Sequence, residues 1–449
     1  MKVILSRRSV TVVFAACTLL TLLVAIAHFA LVGFGVYGDG LGYYAPLRSI
    51  LFDHDLVVTN EYEYFATTHS RFGGGSRWPH AIPHYSKYTI GMAVILAPFY
   101  LVAHVVVSVL VFLGVLNVEA NGLSWPYELF YCVGSISLGV AGLVCTYRAC
   151  RLFFGRMASL LAVLGVWAAS PLTYYVFIEN SMSHAISQGL VSALVYFSLH
   201  GIVRQKRPNG LLLGTLLGLA TLVRPQDALF GIVPATALLV SFDRQDIKAT
   251  LSAAIWMVAS FLTLLSAQLI AYFTQYGTVI NSPYMIEGSS STSGSSFNWF
   301  TPALLDVLFS GHRGLFIWHP LTLISITGLI LLGRRNMTVA ITAAVALFLQ
   351  IYLVAAWHCW WQGASLGSRM LSCSTLIFAL GLAAVWDRLR NRLVAAPVIL
   401  TLFFIAWNSL ITAQYMSGMI PPEKPVTART LLENQVRVVP YFIKHLRDR

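Results

Sequence analysis

Asp39 stands where a long apolar run ends, between Gly38 and Gly40 in the stretch Y-G-D-G-L-G-Y-Y. A carboxylate fixed at a membrane boundary is partly stripped of water, so its proton affinity rises toward working pH and it can serve as a general base. Tyr43 and Tyr44 follow one helical turn later and could hydrogen-bond such a base or line a sugar pocket, although interfacial tyrosines also serve as plain anchors. The same loop, residues 37–88, carries Asp53, Asp55, Glu61, Glu63, Arg48, Lys87 and the histidines His54, His69, His80 and His84. Asp53 and Asp55 flank His54, a D-x-D spacing that could hold a divalent cation through oxygen ligands, the one cofactor these residues suggest. His80 and His84 have i, i+4 spacing, but Pro83 breaks the helix that would align them, which argues against zinc.

Two arginines complete the set. Arg224 lies in the turn R-P-Q-D, and Arg369 closes the segment W-H-C-W-W-Q-G-A-S-L-G-S-R. A guanidinium buried near lipid needs an anion, and a phosphate matches its fork of donors; an ion pair with Asp227, Asp306 or Glu179 would satisfy it as well. Trp357, Trp360 and Trp361 read either as an interfacial girdle or as a stacking wall for a sugar. The segment I-E-N-S-M-S-H adds Glu179 and His184, which with Tyr43, Tyr44, Lys87, Arg224, Trp360 and Arg369 make up the candidate substrate-binding residues.

The elements that must position these groups are membrane helices. A hydrophobic share of 57% against 10% charged residues lies outside the soluble range, and the apolar runs are long enough to cross a bilayer repeatedly. The formal charge of +12 does not call for nucleic acid, because the Lys and Arg residues sit in short links between apolar runs, as cytoplasmic retention requires. The six cysteines show no paired spacing and read as small core residues. Residues 10–36 read as a signal anchor that stays in the membrane and delivers Asp39 to the outside. The run 89–116 contains Pro98, and a full crossing there would strand the Arg148 cluster on the wrong side, so it reads as a re-entrant or surface-lying element. The remaining runs give about eleven crossings. The expected organisation is a transmembrane domain over residues 1–416, with a first external loop at 37–126 and a short external tail at 417–449. The run 210–223 is too short to span, which predicts a half-height hairpin with Arg224 at depth.

Three passages resemble the GT-C superfamily of membrane glycosyltransferases, which includes protein O-mannosyltransferases and lipid A aminoarabinose transferases. Y-G-D-G-L-G-Y-Y-A-P-L-R-S-I-L-F-D-H-D-L with the later N-E-Y resembles the first external loop of a bacterial branch. H-Y-S-K-Y-T-I-G-M-A-V-I-L-A-P-F-Y resembles the membrane-lying helix that follows, and W-W-Q-G-A-S-L-G-S-R-M-L resembles a W-x-G-x-S-x-G-x-R element near the end. Gln362 stands where a glycine is often seen. The resemblance implies an all-α polytopic GT-C fold at the bacterial cytoplasmic membrane with its active site facing outward. It further implies Asp39 as catalytic base, Glu61 as a second acid, and a polyprenyl-phosphate sugar as donor. The acceptor would be a glycan, lipid or protein hydroxyl, and the surrounding partners are membrane lipids. The competing class is a transporter or flippase for a lipid-linked or anionic substrate. The absence of an internal repeat and the gathering of unusual residues on one side disfavour it.

Overall fold

An apolar run in lipid must satisfy its backbone internally, and a helix does this within a single segment. In the computed structural model, which describes residues 6–69, 84–242, 244–279 and 296–447, every regular element is a helix. His80 and Pro83, and the zinc argument attached to them, lie outside the described residues. The first helices are α1 (Arg7–Val32), α2 (Gly40–Arg48), α3 (Thr59–Thr68), α4 (Gly91–Phe112) and α5 (Trp125–Cys150). Next come α6 (Arg156–Ala168), α7 (Leu172–Phe177), α8 (His184–Arg204), α9 (Gly210–Val223), α10 (Ile232–Val240) and α11 (Ile247–Tyr276). The last are α12 (Leu304–Phe309), α13 (Leu315–Trp318), α14 (Leu321–Gly333), α15 (Met337–Ala356), α16 (Thr375–Arg390), α17 (Ala396–Met416) and α18 (Ala428–Arg447). Eight are long and apolar enough to cross a bilayer: α1, α4, α5, α8, α11, α15, α16 with the turn before it, and α17. The chain is a multi-pass, all-helical membrane protein.

Contacts sort the links between helices into two ends. Arg335 pairs with Asp387 at 3.3 Å, and Gly155 lies beside Asp387 and Arg390, which brings the links after α5, α14 and α16 together. Arg207 pairs with Asp246 at 2.7 Å, joining the links that precede α9 and α11. These are the Lys- and Arg-bearing links. Helices that start there carry oxygen caps: Asn209, Asp246 and Asn336 accept from the N–H groups of Leu212, Ala249 and Val339. The opposite end is defined by Asp39, which meets Arg369.

Both ends of α4 belong to the Asp39 end. At its start, Thr89 Oγ1 donates to Val223 O at 3.2 Å and Ile90 N donates to Gln268 Oε1 at 2.9 Å, next to Arg224. The link that follows it packs on α2, where the hydroxyls of Tyr44 and Tyr100 both donate to Gly122 O at 2.6 Å. Between these contacts the helix packs against the first half of α5, with Leu96 and Phe99 at Gly134 and His104 on the Tyr127 hydroxyl. It buries Ala93, Leu96, Tyr100, Ala103 and Val107 at helical spacing and turns Val94, Leu101, Val105 and Val109 outward.

The hairpin of α9 and α10 is short, as its sequence requires. The 14 residues of α9 rise only about 21 Å. In the turn between the two helices Arg224 is buried and Asp227 wholly enclosed while Pro225 is exposed, and Gln226 donates to Gln350 Oε1 well inside α15. Gly210, Gly214 and Gly218 line one face of α9 and let it close on α11; a Cβ at Gly210 would lie 1.8 Å from Ala253 O. Residues 417–449, expected as a short tail, contain the 20-residue helix α18. It buries Leu431 and Val438 and is bonded to α17 through Gln414 and Gln435.

The position of α4 predicts a labelling pattern. In a cysteine-depleted background, a cysteine at Asn117 should react with an impermeant thiol reagent from the same membrane face as one at Trp361, and from the face opposite to one at Gln205. Labelling of the Asn117 and Gln205 probes from one face would show that α4 crosses.

Candidate active site

The approach to Asp39 is built on a buried carboxylate. After α1 ends at Gly33, the N–H groups of Gly35 and Val36 donate to Glu128 Oε2 at 2.8 and 3.0 Å. Glu128 sits in the first turn of α5 and is 2% exposed, and its other oxygen lies 3.3 Å from His69 Nε2 at the end of α3. A buried carboxylate is tolerated only with donors in place of water, and here the donors are the backbone that leads to Asp39. Gly38 adopts φ +58, and a Cβ on it would come within 2.8 Å of Glu179 Oε1. At Gly42 a Cβ would strike the Tyr88 ring at 2.2 Å, so this glycine lets α2 settle onto that tyrosine.

At the centre, Asp39 Oδ2 lies 3.1 Å from Arg369 Nη2, with both side chains partly open to solvent. Arg369 Nη1 also touches Met182 Sδ at 3.7 Å. Arg224 is buried, with Nη1 on His184 Nδ1 and Nη2 donating to Gln226 Oε1 at 3.1 Å. A guanidinium can only donate, so Nδ1 of His184 accepts and carries no proton. Ser372 Oγ lies 3.2 Å from the same nitrogen, and the Tyr175 ring covers the imidazole at 4.4 Å between centroids. Ser183 Oγ donates to the Tyr43 hydroxyl at 3.0 Å. Burial pushes the Tyr43 phenol above the ordinary tyrosine range, while the charges of Arg224 and Arg369 pull it back. The Tyr43 ring rests on Tyr88 at 4.4 Å, and Lys87 Nζ lies 5.5 Å from the Tyr88 centroid.

Asp39, Tyr43, His184, Arg224 and Arg369 thus share one site, Lys87 joins it through Tyr88, and Glu179 borders it at Gly38. The loop before Arg369 is held from two sides. Arg313, 1% exposed, donates to Ser365 O at 3.0 Å and to the carbonyls of Pro421, Pro422 and Lys424, tying the segment after α17 to that loop. Gln362 takes φ +68, a conformation that favours glycine, and its side-chain carbonyl accepts from Met370 N at 2.6 Å. That bond offsets a backbone cost of about 1–2 kcal/mol for a non-glycine residue there.

Other expected site residues lie elsewhere. Neighbouring residues of a helix point about 100° apart, so Tyr44 turns into the core while Tyr43 faces the site. Tyr44 is fully buried against Tyr100, Tyr131 and Phe65 and is not positioned to meet a substrate. Glu61 forms a separate cluster, with Oε1 2.9 Å from Arg48 Nη1, which also meets Asp53. Asp53 further accepts from Asn60 at 2.8 Å. Asp55 closes a turn, accepting from Ser49 Oγ at 2.7 Å and Val57 N at 3.0 Å. Among the described residues no group of three or more His, Cys, Asp or Glu side chains is arranged to hold a metal ion. Trp360 packs edge-on to Trp361 and His312. Tyr88, Ser183 and Tyr175 were not singled out from the sequence, nor was Glu128, although an ionisable residue inside an apolar run was a usable signal.

No family model and no curated protein matches the chain. Among solved structures it is similar to ArnT from Cupriavidus metallidurans bound to undecaprenyl phosphate, with a TM-score of 0.52 and 15% identity over 98% of this chain and 76% of that one. The apo form of the same protein gives a TM-score of 0.50 at 15% identity, covering 96% and 75%. The archaeal oligosaccharyltransferase AglB from Archaeoglobus fulgidus, in complex with an inhibitory peptide and a dolichol-phosphate, gives 0.47 at 10% identity, covering 97% and 55%. The chain has the GT-C fold. In this chain the Asp39 end gathers a carboxylate, two guanidiniums and a neutral imidazole, a set able to accept a proton and to hold an anion.

Glu61 gives the site region a pH signature. Burial raises its carboxyl to about 7 from the usual 4.5, against the pull of Arg48. An acid raised by folding contributes stability that is full below its unfolded value and is lost as pH climbs through its folded value. The melting temperature of the parent should therefore fall relative to Glu61→Gln as pH rises from 4.5 to about 7, then run parallel to it. A constant difference across that window would show that Glu61 ionises as it does in water.

Proposed function

We propose that the chain is a glycosyltransferase that moves a sugar from a polyprenyl-phosphate-linked donor to an acceptor hydroxyl. The observation that carries this reading is the Asp39–Arg369 pair at 3.1 Å, set beside buried Arg224 on a GT-C fold. The similarity to a structure bound to undecaprenyl phosphate supports a lipid-phosphate donor. The basic links at the far end support an orientation with Asp39 facing outward from the cytoplasmic membrane. Outside the membrane no nucleotide-driven step is at hand, which favours a preactivated lipid donor.

The reaction follows from the charges. The acceptor oxygen attacks the anomeric carbon while the bond from that carbon to the phosphate oxygen breaks, and direct attack inverts the centre. Asp39 takes the acceptor proton, a role that needs the carboxylate form, which is also the form that pairs with Arg369. The polyprenyl phosphate leaves as a stable anion and needs no acid. Arg369 places one nitrogen on Asp39 and keeps other donors for that phosphate, so the base and the leaving group share one guanidinium. Arg224 and Lys87 add positive charge where negative charge grows. His184, with its accepting nitrogen held by Arg224, orients that guanidinium. Glu61 supports the loop through Arg48, and any divalent cation at Asp53 would first have to displace Arg48 and Asn60.

Two tests separate these roles. Asp39→Asn keeps the side-chain shape and frees Arg369, so turnover should fall about 10²–10⁴-fold while donor binding is kept. Transfer from a polyprenyl-phosphate sugar by the purified variant at a rate within about threefold of the parent, against that expected loss, would remove Asp39 as base. Arg369→Ala and Arg224→Ala should each weaken donor binding by about 1.5–3 kcal/mol, the value of a charged hydrogen bond, with lysine restoring only part. Unchanged donor affinity in either alanine variant would make that arginine structural.

A further inference from the structure

At the end of the bundle opposite Asp39, the link before α9 and the first turns of α11 line an open cavity of about 570 Å³. The proposed transfer reaction makes no use of it. Its walls divide by chemistry. On one side stand Arg207, Lys248, Asn209 and Asp246, and on the other Leu211 and Trp256. Arg207 Nη2 donates to Asp246 Oδ2 at 2.7 Å, which fixes the guanidinium at the rim and leaves the rest of its fork for another acceptor. Two cations against one carboxylate leave one positive charge, and a phosphodiester carries one negative charge. The apolar side faces the bilayer: Leu211 is 52% exposed and Trp256 57% exposed. A tryptophan of this kind suits the boundary between acyl chains and headgroups. The floor of the cavity is the close contact of α9 and α11 at Gly210 and Ala253, so the polar side chains of the two helix starts stand around its mouth.

A basic pocket between membrane helices at the positively charged end is a form of site that retains anionic lipid headgroups. We propose that this cavity binds the phosphate headgroup of an anionic phospholipid, whose acyl chains run along α9 and α11 beside Trp256. The inference stands on the cavity and its lining and does not depend on the transferase reading.

Native mass spectrometry of the purified full-length protein, titrated with phosphatidylglycerol or phosphatidylcholine, tests it. The parent should retain one phosphatidylglycerol in preference to phosphatidylcholine. The double variant R207Q/K248Q should lose that preference by about fivefold for each cation removed. If the double variant fails to fold, Lys248→Gln alone leaves the Arg207–Asp246 pair intact and should show about a fivefold loss by itself. Equal retention of the two lipids by the parent, or unchanged preference in the variants, would overturn the proposal. So would displacement of the lipid by an equal concentration of glycerol 3-phosphate, since the site would then serve a soluble phosphate.

Discussion

The contact between Asp39 and Arg369 joins the first loop of the chain to the last one before α16, and a set of buried polar groups supports each partner. On the Asp39 side, Glu128 holds the backbone of Gly35 and Val36, Gly38 makes the turn, and Gly42 seats α2 on Tyr88. On the Arg369 side, Arg313 spreads its donors over four carbonyls and Gln362 caps Met370 N. Each of these supports is itself a buried polar group satisfied by backbone. Leaving one unsatisfied costs about 1–3 kcal/mol, more if charged, so the ion pair rests on a scaffold that tolerates little change.

Depth is the second constraint. Arg224 reaches the site because α9 stops short of a full crossing and Pro225 ends it, which leaves Arg224 and Asp227 buried among protein groups. There Arg224 meets His184 and Gln226, Gln226 donates to Gln350, and Ser187 donates to one oxygen of Asp227. At this end α4 buries one apolar face, on which Tyr100 bonds Gly122, and turns the other face outward.

The two ends of the bundle divide the charge. At the basic end, arginines and lysines lie in short, exposed links and in one open cavity. At the other end, Arg224 and Arg313 are buried and Arg369 is largely enclosed beside Asp39. A guanidinium in water interacts weakly with distant anions, whereas one enclosed beside a carboxylate in a low dielectric interacts strongly, so the two ends of the bundle differ in how firmly their cations are held.

Composition and the spacing of apolar runs were enough to read a polytopic helical protein and the short hairpin at Arg224, because membrane solvation acts on each segment separately. The same logic could have flagged Glu128, a carboxylate at the head of an apolar run. Which polar side chains meet was decided only by the tertiary structure. Tyr43 and Tyr44 are adjacent in sequence but lie on different faces of α2, so one enters the site and the other the core. Glu61 and Asp53 turned out to share Arg48, and Asp55 to close a turn, because the loop folds back on itself between α2 and α3. Sequence fixes which segments enter lipid through their own free energy of transfer; partners far apart in the chain are chosen by how those segments pack, and no local pattern encodes that.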